Sequence, residues 1–208
     1  MCRPVSKRGA AEQMDTLAHA VIGGLFFSRS GVCAVRHPVE KPFWKDWTLW
    51  TAAGFGAMPD LASFGAHFVS MLVTGELWEM LRRFLAGDVM AAAPAVETLP
   101  AYVILNYRLT HSLVIALAVG IVIFLFWRRG FLPYLAWPVH ILCDIPVHGK
   151  SYFSTPVLWP FSDWSFDGWS FGKNLWIVAG YWGVILAVLA WRIAAGRRRA
   201  HLPTSTSR

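Results

Sequence analysis

His140 and Asp144 stand four residues apart in an apolar stretch, so on a helix they differ by only ~40° in azimuth and share one face. An imidazole and a carboxylate at that spacing can bind one cation, as the paired histidines of an H-E-x-x-H helix do. His148 follows just past Pro146. Elsewhere, His19, Asp60 and His111 sit singly within or at the ends of other apolar stretches. Ionisable groups beside hydrocarbon are costly, so their presence there points to function. Histidine and carboxylate ligands without cysteine suit a divalent metal: zinc is taken first, with manganese or iron as alternatives. A metal with an open position lowers the pKa of its bound water toward ~7 and makes hydroxide available as a nucleophile. Cys2, Cys33 and Cys143 are odd in number and lack a C-x-x-C pair, which argues against both a disulfide framework and a thiolate zinc site.

The elements that must position these residues are membrane helices. The 208-residue chain is 56% hydrophobic and only 15% charged, against roughly a quarter charged in soluble proteins. Residues 174–191 and 109–127 carry no formal charge apart from His111. Each run approaches the ~20 residues needed to cross a ~30 Å hydrocarbon core. Several of the twelve tryptophans, among them Trp44, Trp47, Trp127, Trp176 and Trp191, flank such runs as an interfacial belt would. The expected fold class is therefore all-α: a multi-pass membrane protein of about five spanning or partly spanning helices. These are placed at 16–28 (with Asp15 or Thr16 as N-cap), 47–58 (stopped by Pro59-Asp60), 106–127, 131 or 138 to 145, and 174–191. Gly54 and Gly56 would admit a close neighbour to the second helix. Residues 61–87, with Glu76, Glu79, Arg82 and Arg83 on one side, read as an interfacial amphipathic helix. Residues 88–100 read as a loop, Arg129-Gly130 as a turn, and the aromatic stretch up to Gly172 as a loop roofing the site.

Three domains follow: an extension over 1–13, with Met14 the alternative start; a membrane domain over 14–191; and a basic cytoplasmic tail over 192–208. The net charge of +7 comes largely from that tail and fits contact with anionic lipid rather than nucleic acid. No cleavable signal peptide is expected, because Asp15 and His19 interrupt the stretch that follows Arg3, Lys7 and Arg8. The positive clusters after the first helix, at Arg128-Arg129 and in the tail put those segments in the cytoplasm. His19, Asp60, His111, His140, Asp144 and His148 then gather at the outer face.

The ordered motifs MDTLAHA (14–20), MPD (58–60), LTHSL (109–113), HILCDIPVH (140–148) and LWP (158–160) resemble the LexA-regulated, membrane-bound metal-dependent hydrolases, small inner-membrane proteins of bacteria. The resemblance implies metal ligation by His19, Asp60, His111, His140 and Asp144, with His148 beside them. It departs at Asn106-Tyr107, where many members carry His-Arg, and at Leu61-Ala62-Ser63, where many carry a second acid; both departures favour one metal over several.

Together these observations point to a membrane hydrolase of an ester or phosphoester, with a lipid or lipid-linked head group as substrate. Asp60 or Asp144 would serve as general base and Arg108 would neutralise a phosphate. The alternatives are a proton or cation relay using the same residues, and a purely structural metal. The topology predicts that a reporter fused after Arg199 reads cytoplasmic and one fused after Phe161 reads external; the opposite pattern in an alkaline phosphatase and fluorescent-protein pair would invert the orientation.

Overall fold

The computed structural model describes residues 16–35, 42–86, 99–150, 153–169 and 175–200. Among these the secondary structure is helical throughout, with no strand. The helices are α1 (Thr16–Phe27), α2 (Trp47–Thr74), α3 (Glu76–Leu85), α4 (Ala101–Thr110), α5 (Leu113–Phe126), α6 (Arg128–Tyr134), α7 (Ala136–Asp144) and α8 (Leu175–Ala200), with short 3-10 turns at Val32–Val35 and Phe43–Lys45. The candidate start at Met14, the cap at Asp15, most of the 88–100 loop and the tail beyond residue 200 lie outside the described residues.

Burial is arranged inside out. Asp144, His111 and Ser112 are wholly buried, whereas Leu117, Ile121, Leu125 and Phe126 on α5 and Trp176 on α8 are exposed. Such a surface is stable against lipid and not against water. Two segments are long and apolar enough to cross a membrane, Thr16–Ala34 and Trp176–Gly196; α4 and α5, bent by 58°, make a third if they act as one span. Length and composition thus support two or three crossings among the described residues, fewer than the five expected from the sequence.

α1 and α2 run antiparallel in the closest contact of the fold. A Cβ on Gly23 would run into the Ala52 carbonyl, and one on Gly56 into the His19 carbonyl. Gly54, expected to share this role, instead faces open space. Where the connection between the two helices turns, Asp46 caps α2. Its carboxylate accepts from Ser30 N and Oγ at 2.8 and 2.6 Å and from Thr48 N and Oγ1 at 3.0 and 2.7 Å. Burial alone would raise the Asp46 pKa, but these donors outweigh it and hold the carboxyl below its ordinary value.

Several boundaries differ from the sequence reading, each for a local reason. Pro59 does not stop the second helix, which continues through it to Thr74. The proline lacks the N–H that would bond the Phe55 carbonyl one turn earlier, and the Gly56 carbonyl beside that one pairs with His140 Nδ1 at 2.7 Å. On the following turn Ser63 Oγ and Thr110 Oγ1 donate to the Pro59 carbonyl at 2.7 and 3.2 Å. The amphipathic helix is therefore only α3, set off by Gly75 in the left-handed region at φ 83°. The expected helix over 106–127 is two helices broken at His111-Ser112, and it begins earlier, at Ala101. Gly130 lies inside α6 and not in a turn, because its missing side chain makes room for the Trp127 ring. α8 carries the last span on through Arg192 into the basic segment.

The contact at Gly56 generates a test. Gly56→Val should lower the unfolding temperature, since overpacking against a backbone carbonyl costs about 1–3 kcal/mol, and should weaken metal retention by displacing His19 and Asp60. Gly54→Val, facing open space, should leave both unchanged in a thermal melt with metal analysis.

Candidate metal centre

Three segments bring four donors to one point. Asp60 comes from the middle of α2, His111 from the break between α4 and α5, and His140 and Asp144 from adjacent turns of α7. One ligand atom from each lies within 4.8 Å of all the others. His111 Nε2 is 3.2 Å from His140 Nε2, 3.5 Å from Asp60 Oδ1 and 3.3 Å from Asp144 Oδ2. His140 Nε2 is 3.4 Å from Asp60 Oδ1 and 3.1 Å from Asp144 Oδ2. A tetrahedron with bonds of ~2.0–2.1 Å has edges of about 3.3–3.4 Å. Five of the six edges here are thus those of a tetrahedral zinc-sized site.

The hydrogen bonds behind the donors set their polarity. His140 Nδ1 donates to the Gly56 carbonyl at 2.7 Å, and His111 Nδ1 donates to the Tyr107 carbonyl at 3.2 Å. A neutral imidazole protonated at Nδ1 turns the Nε2 lone pair inward. Two lone pairs then face two carboxylate oxygens, in a place where the residues are at most 3% exposed. Asp60 Oδ1 and Asp144 Oδ1 and Oδ2 have no hydrogen-bond donor. Protonating both imidazoles doubly would set two N–H groups against each other at 3.2 Å, and a single added proton supplies one N–H for three inward acceptors. A divalent cation satisfies all four atoms and brings the net charge of the set to zero. The residues therefore fit a metal ion.

Around the four donors, Thr16 Oγ1 donates to Asp60 Oδ2 at 2.8 Å, fixing the carboxylate from α1. Tyr107 stacks on the His111 ring at 3.9 Å. Trp137 Nε1 donates to the Thr110 carbonyl, which the break in the helix leaves available. The sequence reading overlooked Thr16, Gly56 and Tyr107. Thr16 lies three residues before His19 on the same helical face, a spacing that places it beside the site. Gly56 was noted for packing alone, since a backbone carbonyl leaves no mark on residue type.

The other expected residues are placed as follows. His19, on α1, sits beside the four-donor set: its Nε2 is 3.0 Å from the opposite oxygen of Asp144, Oδ1, and its ring lies 3.8 Å from that of His140. It is the most exposed of the group, at 9%. His148 is buried against the far side of Asp144, with Nδ1 3.1 Å from the Asp144 carbonyl and 3.7 Å from Oδ1. Arg108 is exposed and reaches Asp163 Oδ1 at 3.8 Å, a surface pair. Asp167 accepts from Lys150 N at 2.7 Å and holds the 153–169 segment in place. That segment also binds through Gly168 N to the His148 carbonyl and Trp169 N to the Pro146 carbonyl. No protein-family model, curated protein or solved structure matches this chain.

His140→Ala and Asp144→Ala should each abolish metal retention, while Asp163→Ala retains it. Thr16→Val keeps all four donors and removes only the hydrogen bond to Asp60, so its metal affinity should fall about 10–100-fold. Mass-spectrometric metal analysis of purified variants, with competitive chelation for Thr16→Val, checks both.

Proposed function

We propose that this chain is a membrane-bound, metal-dependent hydrolase of an ester or phosphoester in a lipid or lipid-linked substrate. The convergence of Asp60, His111, His140 and Asp144 into a buried four-donor N2O2 set carries this reading. Support also comes from the motifs that resemble the bacterial inner-membrane hydrolases: the side chains that meet, including Thr16 and His19, are the polar residues of those motifs. In that reading the protein resides in a bacterial inner membrane, with the centre toward the outer face and the tail in the cytoplasm.

Asp60, His111, His140 and Asp144 would hold the ion, with zinc the best match to the edge lengths. When bound, the ion supplies Lewis acidity and a water with a pKa lowered toward ~7. Because Asp60 and Asp144 both offer oxygens to the ion, proton transfer falls to His19. Its Nε2, facing Asp144 Oδ1 at 3.0 Å, takes up a proton, and its partial exposure lets that proton reach solvent. Thr16 orients Asp60, and the 153–169 segment limits water around His148. Hydrolysis breaks the ester bond and divides the elements of water between the acid and alcohol products.

One observation favours a second reading, a structural metal: four protein donors, all buried, would complete a four-coordinate shell, whereas catalytic zinc keeps a position open. His19→Gln separates the two. For the hydrolase, zinc-loaded wild-type protein hydrolyses bis(4-nitrophenyl) phosphate, and His19→Gln retains its zinc while losing about 10²–10⁴-fold in rate. Inert wild-type protein that unfolds when its zinc is chelated would establish the structural reading.

A further inference from the structure

The end of the bundle away from the metal centre carries a cleft of about 560 Å3 lined by Arg29, Trp47, Trp127 and Arg129. The 14 residues of α5 separate His111 from Trp127, a rise of about 21 Å. We propose that this cleft binds the phosphate of an anionic phospholipid head group. The proposal rests on the membrane reading of the helices and is independent of the hydrolytic one.

Its walls are fixed by the fold. Trp47 and Trp127 stack with centroids 5.8 Å apart and planes 28° apart, presenting two indoles of the kind that favour head-group depth. Arg29 N donates to Thr48 Oγ1 at 2.9 Å, and Thr48 is held in turn by Asp46. That network fixes the backbone at Arg29 and Trp47 together. On the other wall, the Trp127 ring lies against Gly130, where a Cβ would collide with the ring, which sets Trp127 and Arg129 relative to each other.

Among the described residues, no carboxylate compensates the charge in the cleft. Among the described residues neither Arg29 nor Arg129 forms an ion pair with a carboxylate, and no acid lines the cleft. Arg128, by contrast, is engaged over the Phe124 ring at 5.2 Å. Two guanidinium forks flanking an open space match the oxygens of a phosphate, to which arginine can donate two parallel bonds. The adjoining lipid-facing surface of α5 (Val122, Leu125 and Phe126 are exposed) offers apolar contact to the acyl chains of the same molecule. A free phosphate would gain nothing from that surface or from the tryptophans, so the lipid is the assigned source.

The test is a thermal-shift titration of the full-length, zinc-loaded protein in neutral detergent, with phosphatidylglycerol, phosphatidylcholine or inorganic phosphate added. Phosphatidylglycerol should raise the melting temperature in a saturable manner, and the other two should not. Arg29→Gln/Arg129→Gln should bind phosphatidylglycerol about thirtyfold more weakly while retaining full metal content, which reports an intact fold. Should the double variant lose its metal, the single variants decide, each expected to lose about fivefold. Undiminished phosphatidylglycerol affinity in the variants overturns the proposal, as does equal stabilisation by phosphatidylcholine. Stabilisation by inorganic phosphate equal to that by the lipid overturns the lipid assignment as well.

Discussion

Four lone-pair-bearing atoms facing one another in a space closed to water constrain everything else in this fold. Asp60 Oδ1, Asp144 Oδ2 and the two inward Nε2 atoms of His111 and His140 repel until something positive lies between them. Holding them at edges of 3.1–3.5 Å requires a rigid scaffold. The close approach of α1 and α2 supplies part of it, because Gly56 lets the His19 carbonyl against the helix that bears Asp60. The same residue's carbonyl accepts the proton of His140 Nδ1 and so fixes that tautomer. One glycine thus ties three helices to the centre.

The breaks in the helices belong to the same arrangement. An unbroken helix over residues 101–126 would carry His111 with a fixed direction set by the helix axis. The 58° bend at His111-Ser112 re-aims it. Such a bend frees backbone groups that hydrocarbon cannot satisfy, and three of those near it find partners. Ser112 Oγ caps Ile115 N, Leu113 N donates to the Val157 carbonyl, and the Thr110 carbonyl accepts from Trp137. The 153–169 segment is therefore part of the backbone hydrogen bonding of the bundle as well as a cover for His148.

Much of this was legible in residue type and little of it in periodicity. His111, His140, Asp60 and Asp144 stood out because charge-capable groups in apolar surroundings need a reason, and the structure brings those four together. The helical class was legible from uncharged runs. Helix boundaries were not, because a continuous apolar run looks the same whether the helix continues through it or breaks. The break at Ser112 is set by carbonyls and hydroxyls 45 residues or so away along the chain, such as Val157. Pro59 misled for a related reason: it removes one hydrogen bond without ending the helix, and His140, the partner of the nearby Gly56 carbonyl, lies 84 residues away along the chain. Gly54 and Gly56 differ only in which face they occupy, which pairing with α1 decides.

Depth ties the charge of the centre to its position. The rise of about 21 Å along α5 is less than the ~30 Å hydrocarbon thickness. In the proposed topology, which puts Trp127 and Arg129 at one head-group boundary, His111 would stop some ~9 Å short of the other even with α5 upright. A centre at that depth cannot carry net charge cheaply, since a bare ion there costs several kcal/mol or more. Two carboxylates, two neutral imidazoles and one divalent cation sum to zero. A third carboxylate in the set would leave it negative, and a third neutral imidazole in place of Asp60 would leave it positive. His19 and His148, the remaining imidazoles, face the Asp144 carboxylate from outside the four-donor set. The ligand chemistry and the burial are thus the same constraint: only a neutral combination of these residue types tolerates the place the helices put it.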